Sequence, residues 1–280
     1  MVAAQAIIIC STNNNLIKKD NDEYPRAELK DGKYQLPWKT DAEPPDGWAN
    51  FKSFFFPDSS GVPNDEKLNE EPLMQLTKAD PQQIENPPEN GIRVTWLGHA
   101  SVLFQLDSAN LLVNPNFSAR GIKYYHPGDN KRYRQPVYSV EQLPRIDCVF
   151  ITNTHFDYLD LSSVRQLNNR FGKMLLWYVP MGVCDWMKKA GCVNVVEMDW
   201  WKKDQIEFID SAIVTMHTLA LSWGTFTLSS EHYLEPPHRL NDELKKSGLS
   251  NTQFFVLKHG ESRLIIINDL LKEDANGYIK

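Results

Sequence analysis

The chain has 280 residues, with 30 Lys+Arg against 36 Asp+Glu and a formal charge of −6, which argues against a general nucleic-acid polyanion as partner. At 41% hydrophobic and 24% charged residues it has ordinary globular usage and ample length to bury a core in one or two domains, so wholesale disorder, collagen and a small disulfide scaffold are excluded. No window approaches the roughly 18 uninterrupted apolar residues of a membrane span, and the run Ala6 to Cys10 lacks the basic flank and length of a secretory signal, so an intracellular chain is expected. Cys10, Cys148, Cys184 and Cys192 are too few and too scattered for a disulfide framework or paired zinc knuckles.

Ten of the 17 prolines fall in residues 1–90, which lack a sustained period of 2 or 3.6, so this stretch reads as an irregular, Pro-rich arm. Its aromatic run Phe51 to Phe56 is expected to pack on the rest of the protein, with a membrane interface as the alternative. The acidic segment Asn64 to Glu71 reads as a solvated helical turn or loop. A second region, 91–280, opens with two β-rich runs, Arg93 to Leu97 and Ser101 to Leu106, broken at Gly98. Further strands are predicted at Leu111–Val113, Ile146–Thr152, Met174–Val179, Val193–Glu197, Ala212–Met216, Phe254–Leu257 and Leu264–Ile267. Helices are predicted from Leu161 to Phe171, leaving at Gly172, and from Cys184 to Ala190, ending at Gly191. Alternating strands and helices with strands in excess give an α/β or α+β fold with a sheet-rich core.

The chemistry-bearing cluster is Asn153-Thr154-His155-Phe156-Asp157-Tyr158-Leu159-Asp160, which follows directly on a buried strand. His155 and Asp157 form a usable pair of metal ligands, although a His-x-Asp at a strand end is more often a hydrogen-bonded structural pair. His99, between two strands, reads as a turn histidine satisfied by backbone groups, and Asp269 reads as a turn or helix cap. His126, His217, His232, His238 and His259 show no ligand spacing among themselves and read as structural. No nucleophile elbow, phosphate-cradling loop or dinucleotide fingerprint is present in the sequence.

Several longer stretches carry a resemblance: Asp31-Gly32-Lys33-Tyr34 with Pro37-Trp38, Arg93-Val94-Thr95-Trp96-Leu97-Gly98-His99-Ala100, and Leu143-Pro144-Arg145-Ile146-Asp147. Further on come Leu167-Asn168-Asn169-Arg170-Phe171-Gly172, Trp177-Tyr178-Val179-Pro180 and Glu197-Met198-Asp199-Trp200-Trp201. From about residue 30 onward the chain resembles the N-acyl-phosphatidylethanolamine-hydrolysing phospholipases D, membrane-associated zinc hydrolases of the metallo-β-lactamase fold. The resemblance implies an αββα sandwich with its second half incomplete, as a C-terminally shortened member. It also implies a site of two zincs held by a His-x-His-x-Asp-His loop, a later His, a bridging Asp and a last His.

On this chain the family's ligand positions fall on Asn153, His155, Asp157, Tyr158, Ser222 and Asp269, and the final His has no counterpart before Lys280. The Asp of an early Asp-Pro pair is Asn114. The residual metal set is therefore His155, Asp157 and Asp269, where catalytic zinc normally takes three protein ligands and a water. The implied function is a homologue with a degraded di-zinc site, catalytically impaired or inactive, that retains lipid or membrane binding, with no metal or one weakly held divalent ion. The alternative is an active metal-dependent phospholipase D releasing N-acylethanolamine and phosphatidic acid through a rearranged single-metal site. There Asn153 and His217 would be auxiliary ligands, Asp157 would be catalytic and Phe156 would contact substrate. The implied partner is a phospholipid or membrane surface, with the chain cytosolic or peripheral on cytosolic membrane faces, and self-association is a second expectation, since an unfinished sheet leaves an exposed edge.

Overall fold

Ile92–Gly98, Ser101–Leu106 and Ala109–Val113 are almost continuously buried, a pattern that requires cover on both faces of a sheet. In a computed structural model of the chain, residues 28–35, 63–78, 80–106, 108–119, 132–199, 218–226, 232–248 and 254–266 are described. The strands, in chain order, are β1 (Glu28–Lys30), β2 (Lys33–Gln35), β3 (Ile92–Gly98), β4 (Ser101–Leu106), β5 (Ala109–Val113) and β6 (Cys148–Phe150). They continue with β7 (Leu176–Pro180), β8 (Asn194–Met198), β9 (Thr218–Leu219), β10 (Phe254–Phe255) and β11 (Ser262–Ile265). The helices are α1 (Asp65–Glu70), α2 (Pro81–Glu85), α3 (Leu161–Phe171), α4 (Cys184–Lys189) and α5 (Glu235–Lys246).

The main sheet has seven strands in the order β11-β3-β4-β5-β6-β7-β8. Its first half is antiparallel and its second half, β5 to β8, parallel. The parallel half uses α3 and α4 as crossovers. On one face Leu103, Leu112, Val149, Trp177 and Val179 pack with Val164 and Leu167 of α3 and Met187 of α4. On the other, Val94, Trp96, Val102, Phe104, Leu111 and Val113 meet Leu219, Leu221, Trp223, Phe255 and Leu257, the layer that holds the parallel pair β9-β10. Helices, a large sheet and a smaller second sheet stack in that order, a mixed α/β fold resembling the metallo-β-lactamase sandwich. Each fully buried Leu or Val of these clusters contributes about 1.5–3 kcal/mol by leaving water.

Local chemistry explains the element boundaries. Asp160 caps α3 by accepting from Ser163 N, and the helix leaves through Gly172 at φ 56, where a side chain would be strained. Residues 63–90, expected in the arm, contribute Leu68, Met74 and Ile84 to the two cores. Gly260 fixes this segment to the sheet: Thr77 N donates to His259 O, and a Cβ at Gly260 would lie 1.9 Å from Thr77 O. Helix α5 has no counterpart among the predicted elements because it opens on Pro236-Pro237, a pair that reads as a break yet fits the first helical turn, where no N–H is needed. The aromatic run Phe51 to Phe56 and the strand expected at Ala212–Met216 lie outside the described residues.

Candidate functional site at the strand ends

Strand β6 ends at Phe150, and the loop after it, Ile151 to Asp160, is folded by its own polar groups. Asn153 Oδ1 accepts from His155 N at 2.9 Å, and His155 O accepts from Tyr158 N and Leu159 N at 2.9 and 2.8 Å. The resulting turn sorts the side chains. His155 and Phe156 face outward, Phe156 being 41% exposed, while Asp157 and Tyr158 turn inward and are both 6% exposed. Asp160 serves the scaffold, accepting from Ser118 Oγ at 2.7 Å and from Ser163 Oγ at 2.6 Å.

The inward side chains meet the β3–β4 turn. There His99 sits at φ 51, its carbonyl accepting from Trp96 Nε1 and Ser222 N and its N–H donating to Thr225 Oγ1. The backbone of His99 is thus satisfied as a turn residue, but its imidazole has a different partner from the one expected. Nε2 lies 2.7 Å from Asp157 Oδ2, with both side chains nearly excluded from water. Asn116 Nδ2 donates to Asp157 O at 2.8 Å, so the aspartate is held at both backbone and side chain. The His99 ring presses edge-on against Tyr158 and Phe226, each with its centroid 5.2 Å away.

Tyr158 Oη and Ser222 Oγ are hydrogen-bonded to each other at 3.0 Å. Burial raises the Tyr158 phenol above its ordinary value, with the Ser222 bond opposing and the Asp157 charge adding to the rise, so the hydroxyl keeps its proton. Ser222 adopts φ 64, a costly backbone for a residue other than glycine. Asn114, also left-handed at φ 44, accepts from Thr152 N at 2.8 Å and donates from Nδ2 to Thr152 Oγ1 at 2.9 Å. An asparagine tolerates that conformation better than most side chains.

A second buried layer supports this one. Thr225 Oγ1 lies 3.1 Å from His259 Nε2, and the His259 ring stacks on Trp96. Burial, with the nearby Arg132 and Arg134 charges, pushes the His259 imidazole from 6.5 down to about 3. Arg132 donates from Nε to Ser118 O and from its second guanidinium nitrogen to Asn116 O, and stands over the Phe226 ring. Burial lowers Arg132 to about 10, with Asp160 opposing. Gly98 is what lets the turn close over these groups, because a Cβ there would lie 3.1 Å from His259 Cδ2 and 3.2 Å from an Arg132 nitrogen. The reading of the isolated histidines as unrelated missed this layer; the signal for it was the Gly98-His99 pair at a strand break.

The donors among the described residues do not fit a zinc pair. His155 is on the outer side of the turn, whereas Asp157 is buried and hydrogen-bonded through Oδ2 to His99. Tyr158 and Ser222, at two of the positions the family resemblance assigns to imidazoles, are hydrogen-bonded to each other, and neither is a zinc ligand of ordinary strength at neutral pH. Among the described residues no group of three or more His, Cys, Asp or Glu comes together to hold a metal ion. Asp269 and His217 lie outside the described residues. What the arrangement does chemically is rigidify: it joins three loops through buried hydrogen bonds.

Comparison with known proteins agrees with the sequence resemblance. Residues 109–234 match the family described as Beta-lactamase superfamily domain. N-acyl-phosphatidylethanolamine-hydrolyzing phospholipase D 1 of Caenorhabditis elegans is 30% identical over 151 residues, 51% of this chain and 40% of that protein. The mitochondrial N-acyl-phosphatidylethanolamine-hydrolyzing phospholipase D of Saccharomyces cerevisiae is 30% identical over 131 residues, 46% of this chain and 27% of that protein. Among solved structures, the isothiocyanate hydrolase from Delia radicum gut bacteria aligns with a TM-score of 0.46 at 11% identity, over 62% of this chain and 99% of that one. The matches span less than half the length of these two curated relatives. Residues 109–234 thus match a β-lactamase-superfamily domain, and about half of the chain is similar to N-acyl-phosphatidylethanolamine-hydrolysing phospholipases D.

Proposed function

We propose that this chain is a phospholipase D homologue in which a hydrogen-bonded protein cluster has replaced the metal centre, so that the scaffold and its affinity for phospholipid persist while hydrolysis is impaired or lost. The Tyr158–Ser222 bond carries this reading. Loss of two imidazoles would leave two unsatisfied positions in a buried pocket; here the replacing side chains satisfy each other, as expected of a site rebuilt for packing. The similarity to N-acyl-phosphatidylethanolamine-hydrolyzing phospholipases D, which act on an N-acylated phospholipid, supports a lipid as the bound class.

The test is hydrolysis of N-acyl-phosphatidylethanolamine in mixed micelles by the intact chain and by a His155→Ala variant, with added Zn, Mn or Mg ions. The reading predicts no release of N-acylethanolamine and phosphatidic acid that depends on His155. Turnover that a metal restores and His155→Ala abolishes would establish instead a single-metal enzyme using Asn153, His155, Asp157 and Asp269, with Phe156 at the substrate.

A further inference from the structure

At the end of the main sheet opposite the loop 151–160, the N-terminal ends of β7 and β8 and the C-terminal ends of α3 and α4 converge. The register pairs Leu176 with Asn194, so Met174, in the turn before β7, and Val193, just before β8, stand on adjoining turns at one end of the sheet. Two bonds hold the turns together: Asn194 Nδ2 to Lys173 O, and Asn168 Nδ2 to Gly191 O. Met174 is 80% exposed and Val193 55%, the former being the most exposed large hydrophobic side chain among the described residues. Exposed Lys173, Lys188 and Lys189 stand next to them in sequence or on the adjoining helix end.

Positive charge predominates around this tip. The one acid in 161–196 is Asp185, in the first turn of α4, against Arg165, Arg170, Lys173, Lys188 and Lys189, in a chain whose net charge is −6. On the neighbouring strand end Asp147 is ion-paired with Arg145 at 2.8 Å and also accepts from Asn110 N. Arg170 is directed to Val140 O, with Glu141 close to it, and does not belong to the tip. Lysines in the last turn of α4 would be favourable for the helix dipole alone. That role leaves unexplained a methionine held out in water beside Lys173, on turns fixed by side-chain bonds.

We infer that this end of the sheet is an attachment surface for an anionic phospholipid bilayer, with Met174 and Val193 entering the interface and Lys173, Lys188 and Lys189 facing the headgroups. The chemistry is that of peripheral attachment: apolar side chains enter the acyl boundary while flexible ammonium groups reach acidic headgroups and their stems cover apolar surface. An acidic protein surface would also satisfy the lysines, and vesicle pelleting distinguishes the two partners. This inference rests on the lipid-binding part of the proposed function and adds a direction to it. Because the tip lies at the strand ends opposite Phe156, attachment there turns the loop 151–160 away from the bilayer.

Co-sedimentation of the intact chain with phosphatidylcholine vesicles, and with vesicles containing phosphatidylserine, tests this. The variants are Lys173→Gln/Lys188→Gln/Lys189→Gln, Met174→Ser/Val193→Ser, and Phe156→Ser as a control at the other end; their circular dichroism confirms that these surface changes leave the fold intact. The expected result is pelleting that requires phosphatidylserine, falls with salt, drops roughly 100-fold in the lysine variant and about tenfold in the apolar variant, and is unchanged by Phe156→Ser. Pelleting lost in Phe156→Ser but kept in both tip variants would overturn the surface while leaving lipid binding in place. No pelleting with either vesicle would overturn both, leaving an acidic protein as the partner for the lysines.

Discussion

The helix-covered face of the sheet and the cluster at the strand ends are built on different physics. The first, Leu103, Leu112, Val149, Trp177 and Leu167, is held by burial alone, and any side chain of the right shape suits it. The second joins His99 to Asp157 and Tyr158 to Ser222, pairs separated by 58 and 64 residues, through directional bonds in a water-poor setting. The apolar face supplies most of the stabilisation. The polar cluster sets which loops sit where, and it engages Asp157 Oδ2, Tyr158 and Ser222 in hydrogen bonds within the protein.

This contrast is sharpened by substitutions that act on one region and not the other. Trp177→Ala, which empties a fully buried site, is expected to cost about 3–5 kcal/mol in denaturant unfolding. His99→Leu leaves Asp157 buried without its partner and should cost about 2–4 kcal/mol, much of it recovered when Asp157→Leu is added. Failure of the double variant to recover would mean that the two side chains are not energetically paired. Effects across the two regions should add, whereas within the cluster they should not.

Acid acts on the second layer of the cluster. His259 binds a proton near 6.5 in the unfolded chain but only near 3 when folded, so between these values the unfolded state holds the extra proton. Its contribution is therefore fully present above about pH 6.5 and declines as pH falls toward 3, by up to about 1.4 kcal/mol per unit. Unfolding free energies measured at several pH values should show this slope in the wild type and a shallower one in His259→Gln. The smallest effect is expected at the outer pair: Tyr158→Phe and Ser222→Ala should each cost about 1 kcal/mol, and a double-mutant cycle should return a coupling of similar size.

What was legible in the sequence follows the same division. Apolar runs and helix signals placed β3 to β8, α3 and α4 within a few residues, since burial on a sheet or helix face leaves a periodic record. A bond between residues dozens of positions apart leaves no such record, and so the turn residue His99 gave no sign that its ring reaches Asp157. The polar character of the loop 151–160 is readable locally, because it follows directly on a buried strand; the inward turn of Asp157 away from His155 is not. Helix α5 was hidden by Pro236 and Pro237, whose meaning depends on whether a helix follows.

The central claim, that protein groups and not a metal hold the strand-end cluster together, is tested most directly by thermal unfolding of protein purified without chelator, with metal per chain determined on the same sample. The account predicts well under one metal per chain, and a midpoint that neither chelator nor added zinc moves. A near-stoichiometric metal with a midpoint that falls on chelation would contradict it, because a ligand bound only by the folded state must stabilise that state.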